Sequence, residues 1–107
     1  IPDLALNTET AEIQNGAWCS TLIFGKSHGL RKEKAMAELE KQGLPARPFF
    51  YPLSMMPAFP GRETEGREHN PAAYDVADRG ICLPSALNTT EAQIESYFHG
   101  IRKMLGR

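Results

Sequence analysis

Cysteine and histidine are scarce in this chain of 107 residues, with two of the first and three of the second. Cys19 and Cys82 each lie inside an apolar run that reads as a strand, where small buried thiols are common, so a disulfide is possible but nothing requires one. His28, His69 and His99 have neither the mutual spacing nor the cysteine or carboxylate company of a metal site, so no metal is expected. Charge of one sign is lacking as well. The formal net charge of -1 leaves no global field to attract DNA, RNA or an anionic membrane, and no nucleic-acid partner is expected. No apolar run approaches the roughly 20 residues that a bilayer span needs. The first residues, Ile-Pro-Asp-Leu-Ala-Leu-Asn, carry no basic region ahead of an apolar one, so no secretory leader is read and the expected location is the cytoplasm. An initiating methionine is also missing: Ile1-Pro2 comes first, and the chain is expected to be a piece of a longer protein.

What is there is globular. A hydrophobic fraction of 41% and a charged fraction of 23% suit a single domain over residues 1–107. Area scaling gives a chain of this size a burial of roughly two-thirds of its extended surface, enough for a core without staples. Residues 1–16 read as an extended lead-in with pairing near Leu4 to Leu6. Ala17 to Phe24 is the strongest strand, because β-branched and aromatic residues crowd it. Leu30 to Gln42 reads as a helix with Ala35, Met36 and Leu39 on one face and Lys34, Glu38 and Lys41 opposite, ended by Gly43 in the left-handed region.

Pro60 to His69 has glycine and charge without an apolar period and reads as a mobile loop, from which Arg62 and Arg67 could reach a diphosphate. Asn70-Pro71 starts a short helix to Arg79 that buries Ala73, Ala77 and either Tyr74 or Val76. Ile81 to Leu83 is a short strand. Thr90-Glu91-Ala92-Gln93 is a capping box for a last helix whose Ile94, Phe98, Ile101 and Leu105 recur at the helical period and should pack on the sheet. The fold class is α+β: a small, largely antiparallel sheet of Ala17–Phe24, Ala46–Phe50 and Ile81–Leu83, covered by the two long helices.

The stretch that stands apart is Ala46 to Phe59, Ala-Arg-Pro-Phe-Phe-Tyr-Pro-Leu-Ser-Met-Met-Pro-Ala-Phe. Each of its prolines fixes φ, removes a donor and drives the preceding residue, Arg47, Tyr51 or Met56, towards extended geometry. No helix can run through it. A stiff aromatic ribbon with one guanidinium suits one wall of a ligand pocket, and it equally suits an edge strand running into a buried turn.

Gly43-Leu44, then Ala46-Arg47-Pro48-Phe49-Phe50-Tyr51-Pro52-Leu53, then Pro57-Ala58-Phe59 resemble the C-terminal domain of the pyridoxal-phosphate-dependent nucleotide-sugar aminotransferases, the DegT/DnrJ/EryC1/StrS family, and within it the perosamine synthetases. The family pattern there is Gly-Ile-x-Thr-Arg-Pro-Phe-Phe-Tyr-Pro-Leu-His. Ser54 stands where histidine is common. The resemblance implies a small domain, of the fold-type I aminotransferase kind, that closes over a large cofactor-binding domain of the same chain in a homodimeric parent. It implies that Arg47, Phe50, Tyr51 and then Ser54 line the pocket for a nucleotide-linked keto sugar destined for surface polysaccharide such as lipopolysaccharide. Arg47 would fix polar groups of the sugar or diphosphate, Phe50 would shape the wall and Tyr51 would offer a hydroxyl. An amino acid, glutamate foremost, would be the amino donor.

Transamination with pyridoxal phosphate needs a Schiff-base lysine, an acid at the pyridine nitrogen and donors around the phosphate. Lys32, Lys34 and Lys41 fall on a helix that reads as largely solvated, Lys26 in a polar loop and Lys103 near the end of the last helix. None has the apolar setting that a catalytic amine needs. The expectation is therefore no cofactor on this piece and no activity of its own, with pyridoxal phosphate bound elsewhere in the parent. The competing expectation is a free-standing binding or interaction module of the same fold.

Overall fold

The computed structural model describes residues 1–16 and 18–107. Its strands are β1 (Leu4–Ala5), β2 (Ser20–Phe24), β3 (Arg47–Pro48) and β4 (Gly80–Leu83), and its helices are α1 (Lys32–Glu40), α2 (Glu63–His69), α3 (Pro71–Arg79) and α4 (Glu91–Met104). Short 3-10 turns occupy Lys26–His28 and Leu53–Met55. The four strands form one sheet in the order β1-β2-β4-β3 with every pair antiparallel, which is the expected α+β architecture.

Strand alternation divides the sheet into two faces. Leu22 and Phe24 of β2 and Ile81 of β4 point to one side and meet Ala35 and Leu39 of α1 and Ile101 of α4 in a single apolar cluster. Thr21, Ile23 and Cys82 point to the other side. The expected strand from Ala17 is shorter than read. Ala17 lies outside the described residues, Trp18 and Cys19 form a bend, and pairing begins at Ser20. The Ala46–Phe50 strand shrinks in the same way. Its ladder holds only Arg47 and Pro48, followed by a single bond from Phe49 N–H to the Gly80 carbonyl at 3.0 Å, because prolines on both sides remove donors.

α1 ends as the sequence suggests. Gly43 takes φ 73°, and the Leu44 N–H returns to the Leu39 carbonyl at 3.0 Å. The capping box at Thr90 and Gln93 is formed in both directions. Asn70 precedes α3 with Pro71 in the first turn but makes no side-chain cap.

Three expectations are corrected. Pro60 to His69 is not a loop: residues 63–69 form α2, because its opposite charges stand three and four apart and pair as Arg62–Glu65 and Glu63–Arg67, each at 2.9 Å. Ala73 is exposed, and Tyr74 with Ala77 carries the buried face of α3. α4 packs mainly on α1 and only through its C-terminal half. Ile101, Met104 and Leu105 join the core, and Gly100 lets Leu44 and Leu39 approach, whereas Ile94 and Phe98 remain exposed. Among the described residues no helix is long and apolar enough to cross a membrane.

Candidate functional site

The ribbon leaves the edge of the sheet at β3 and splits its side chains between two environments. Arg47 pairs directly with Cys82, so both side chains leave the face opposite the helix-covered core. Phe50 lies just beyond the ladder. It stacks on Trp18 with ring centroids 5.9 Å apart and planes 15° apart, and it meets Phe49 edge-on at 5.7 Å. Phe50 is 59% exposed and Trp18 76% exposed, so the pair is a surface and not a core. Among the described residues the Arg47 side chain has no ion pair or hydrogen bond and is exposed, which leaves its guanidinium fork free for planar acceptors.

Tyr51 and Ser54 turn towards the helices. The Lys32 ammonium sits over the Tyr51 ring, 3.8 Å from its centroid. Lys32 is 2% exposed, which corrects the reading of that lysine as solvated. It is the first residue of α1, one turn ahead of Ala35 and Met36 on the same apolar stripe, and that phase is the sequence signal that gives its burial away.

Ser54 Oγ lies 2.7 Å from the Tyr74 hydroxyl, and Tyr74 donates its one proton to the Glu63 carbonyl at 3.2 Å, so Ser54 is the donor to Tyr74. Arg67 covers the Tyr74 ring at 4.4 Å while its guanidinium bonds Glu63. Leu53, Ser54, Phe59 and Arg62 line a shallow groove of about 440 Å³ beside this cluster. The four expected residues therefore do not converge on one point: Arg47 leaves the open face beside Cys82, Phe50 stacks on Trp18, and Tyr51 and Ser54 anchor the ribbon to α1 and α3.

Cys19 and Cys82 are free thiols, and burial, with the Cys19 thiol beside it, pushes the Cys82 thiol up. No cluster of metal-ligating side chains occurs among the described residues.

A profile of the DegT/DnrJ/EryC1/StrS aminotransferase family matches residues 2–102. The chain belongs to this family. It is also similar to the pyridoxal phosphate-dependent aminotransferase EpsN of Bacillus subtilis (strain 168), with 33% identity over 75 residues that make up 69% of this chain and 19% of that protein. The chain thus matches about a fifth of its relative's length.

Family membership raises the question of whether these residues could hold pyridoxal phosphate. Among the described residues no lysine has the company that a Schiff-base site requires. Lys26 and Lys41 pair with Asp75 and Glu38, and Lys32 faces a tyrosine ring. Lys34 and Lys103 line a cleft of about 680 Å³ between α1 and the end of α4, where the one carboxylate, Glu38, is committed to Lys41. The donor set of this chain does not fit the cofactor by itself.

Proposed function

We propose that this chain is the C-terminal small domain of a pyridoxal-phosphate-dependent aminotransferase acting on a nucleotide-linked keto sugar, of the perosamine synthetase kind, in the cytoplasmic assembly of surface polysaccharide. The observation that carries the reading is the exposed stack of Trp18 on Phe50, three residues along the ribbon from Arg47, whose guanidinium has no partner among the described residues. A stiff apolar face next to one fixed guanidinium is what a pocket wall needs to hold a sugar ring and orient its charged tail.

In this reading the large domain of the same polypeptide holds the cofactor, which supplies the electron sink for moving the amino group from glutamate to the keto sugar. The residues of this chain bind and orient. Arg47 takes oxygens of the sugar or its diphosphate in its planar fork. Phe50, backed by Trp18, excludes water from one side of the ring. Ser54 is committed to Tyr74 and acts through the ribbon's shape rather than by contact with the ligand.

The test uses the full-length polypeptide with UDP-, GDP- and dTDP-linked 4-keto-6-deoxyhexoses as acceptors and glutamate as donor. Arg47→Gln and Phe50→Ala should each raise KM for the accepted sugar at least tenfold while the protein stays folded. Full activity with unchanged KM in both variants sinks the reading.

A further inference from the structure

Lys32 is an expensive residue where it stands. Its side chain is buried to 2% exposure, and it occupies the first turn of α1, where the helix dipole opposes a positive charge. Among the described residues no carboxylate pairs with it, and no side chain or carbonyl accepts a hydrogen bond from it. The ammonium keeps a small contact with solvent, and the protein group that faces it is the Tyr51 ring, 3.8 Å away. A methionine would fill the same space without the charge.

We propose that Lys32 is the positioning residue of the ribbon: its ammonium pins the Tyr51 ring and thereby fixes the direction in which Phe50 is presented. The inference rests on the reading of the ribbon as a pocket wall and adds the device that holds the wall in place. The chain between Phe49 and Leu53 has little else to hold it. The last sheet bond is made by the Phe49 N–H, and the next backbone bond is the Met55 N–H to the Pro52 carbonyl, inside the following 3-10 turn. Between these points the Tyr51 ring on Lys32 is the contact that ties the ribbon to α1. Phe50 and Tyr51 are adjacent in extended chain, so pinning one side chain on the helix turns the other away from it, where Phe50 meets Trp18. Tyr51 thus acts through its ring, as the anchor of the ribbon.

The test compares Lys32→Met and Lys32→Arg in the full-length protein by hydrogen exchange, thermal melting and steady-state kinetics with the same sugar-nucleotide panel. Lys32→Met removes a charge that is mostly buried and has no carboxylate partner, so its melting temperature should hold or rise. Backbone exchange in the peptide covering residues 49–59 should nevertheless quicken several-fold, and KM for the accepted sugar should rise roughly tenfold with kcat within twofold. Lys32→Arg keeps a cation at the ring and should restore both. Unchanged exchange over 49–59 in Lys32→Met overturns the proposal, and so does a lowered melting temperature with exchange quickened throughout the domain, which marks a merely structural residue. Faster exchange over 49–59 with KM unmoved upholds the latch and overturns the pocket-wall reading on which it was built.

Discussion

Ser54 Oγ donates a hydrogen bond to the Tyr74 hydroxyl across 2.7 Å and so fastens the end of the ribbon to α3. Tyr74 donates its own hydrogen bond to the Glu63 carbonyl in α2, which makes one phenol the junction of three consecutive segments, the ribbon, α2 and α3. Tyr74 is 3% exposed, and a polar atom left alone at such a place costs more than the bond itself contributes.

Tyr74→Phe keeps the ring and removes the junction. We expect a loss of about 1–2 kcal/mol, seen as a lower urea midpoint at an unchanged m value. In Ser54→Ala/Tyr74→Phe the combined loss should fall short of the sum, because both changes break the same bond. Strict additivity would show that the two hydroxyls do not interact.

Gly66→Ala tests the packing around that junction. In an exposed helix the change stabilises by up to about 1 kcal/mol. Here the added Cβ would lie 2.1 Å from Ser54 Oγ and 2.7 Å from the Tyr74 hydroxyl, so the expected sign is reversed. We expect a destabilisation of roughly 1–3 kcal/mol by thermal or urea unfolding. A stabilised variant would place α2 further from the ribbon than the structure has it.

Asp75 links stability to acid. Its carboxylate bonds the Arg79 guanidinium at 2.5 and 3.1 Å, and Arg79 in turn donates to the Phe24 carbonyl at the end of β2. The hydrogen bond from Arg79, and then its charge, hold the Asp75 carboxyl below 3.8. A carboxylate with a depressed folded value contributes stability above its unfolded value and loses it as pH falls through the lower one. Asp75→Asn should therefore flatten the decline of melting temperature below about pH 4. The decline should not vanish. Asp3, held low by Ser27, and Glu38, held low by Lys41, keep their own contributions. Identical acid profiles for the two proteins would exclude Asp75 from that role.

Where one period ran through a segment, the sequence was legible. The apolar stripe of Ala35 and Leu39 is the buried face of α1, Gly43 takes the left-handed position, and Thr90 with Gln93 caps α4. α2 was hidden because its helix rests on charge pairs and on a buried glycine, neither of which leaves an apolar rhythm. The bare half of α4 was misread for the opposite reason. Ile94 and Phe98 keep the helical period, but they stay exposed and outside the core cluster that Ile101 joins. Of the candidate site, Arg47 and Phe50 come from the family resemblance and not from residue type, and the structure leaves both exposed. Lys32 was not legible, because the eye assigns a lysine to water, and only its phase relative to Ala35 and Leu39 says otherwise. Trp18 escaped because its contact with Phe50 joins residues 32 positions apart across β4.

The indole of Trp18 is the chain's sole tryptophan, and it lies nearly flat against Phe50 with both rings largely exposed. Whatever settles on that aromatic pair must either shield the indole from solvent or pry the two rings apart. The domain consequently carries a built-in optical probe of its own occupancy, in which one emission band registers arrival without any label attached.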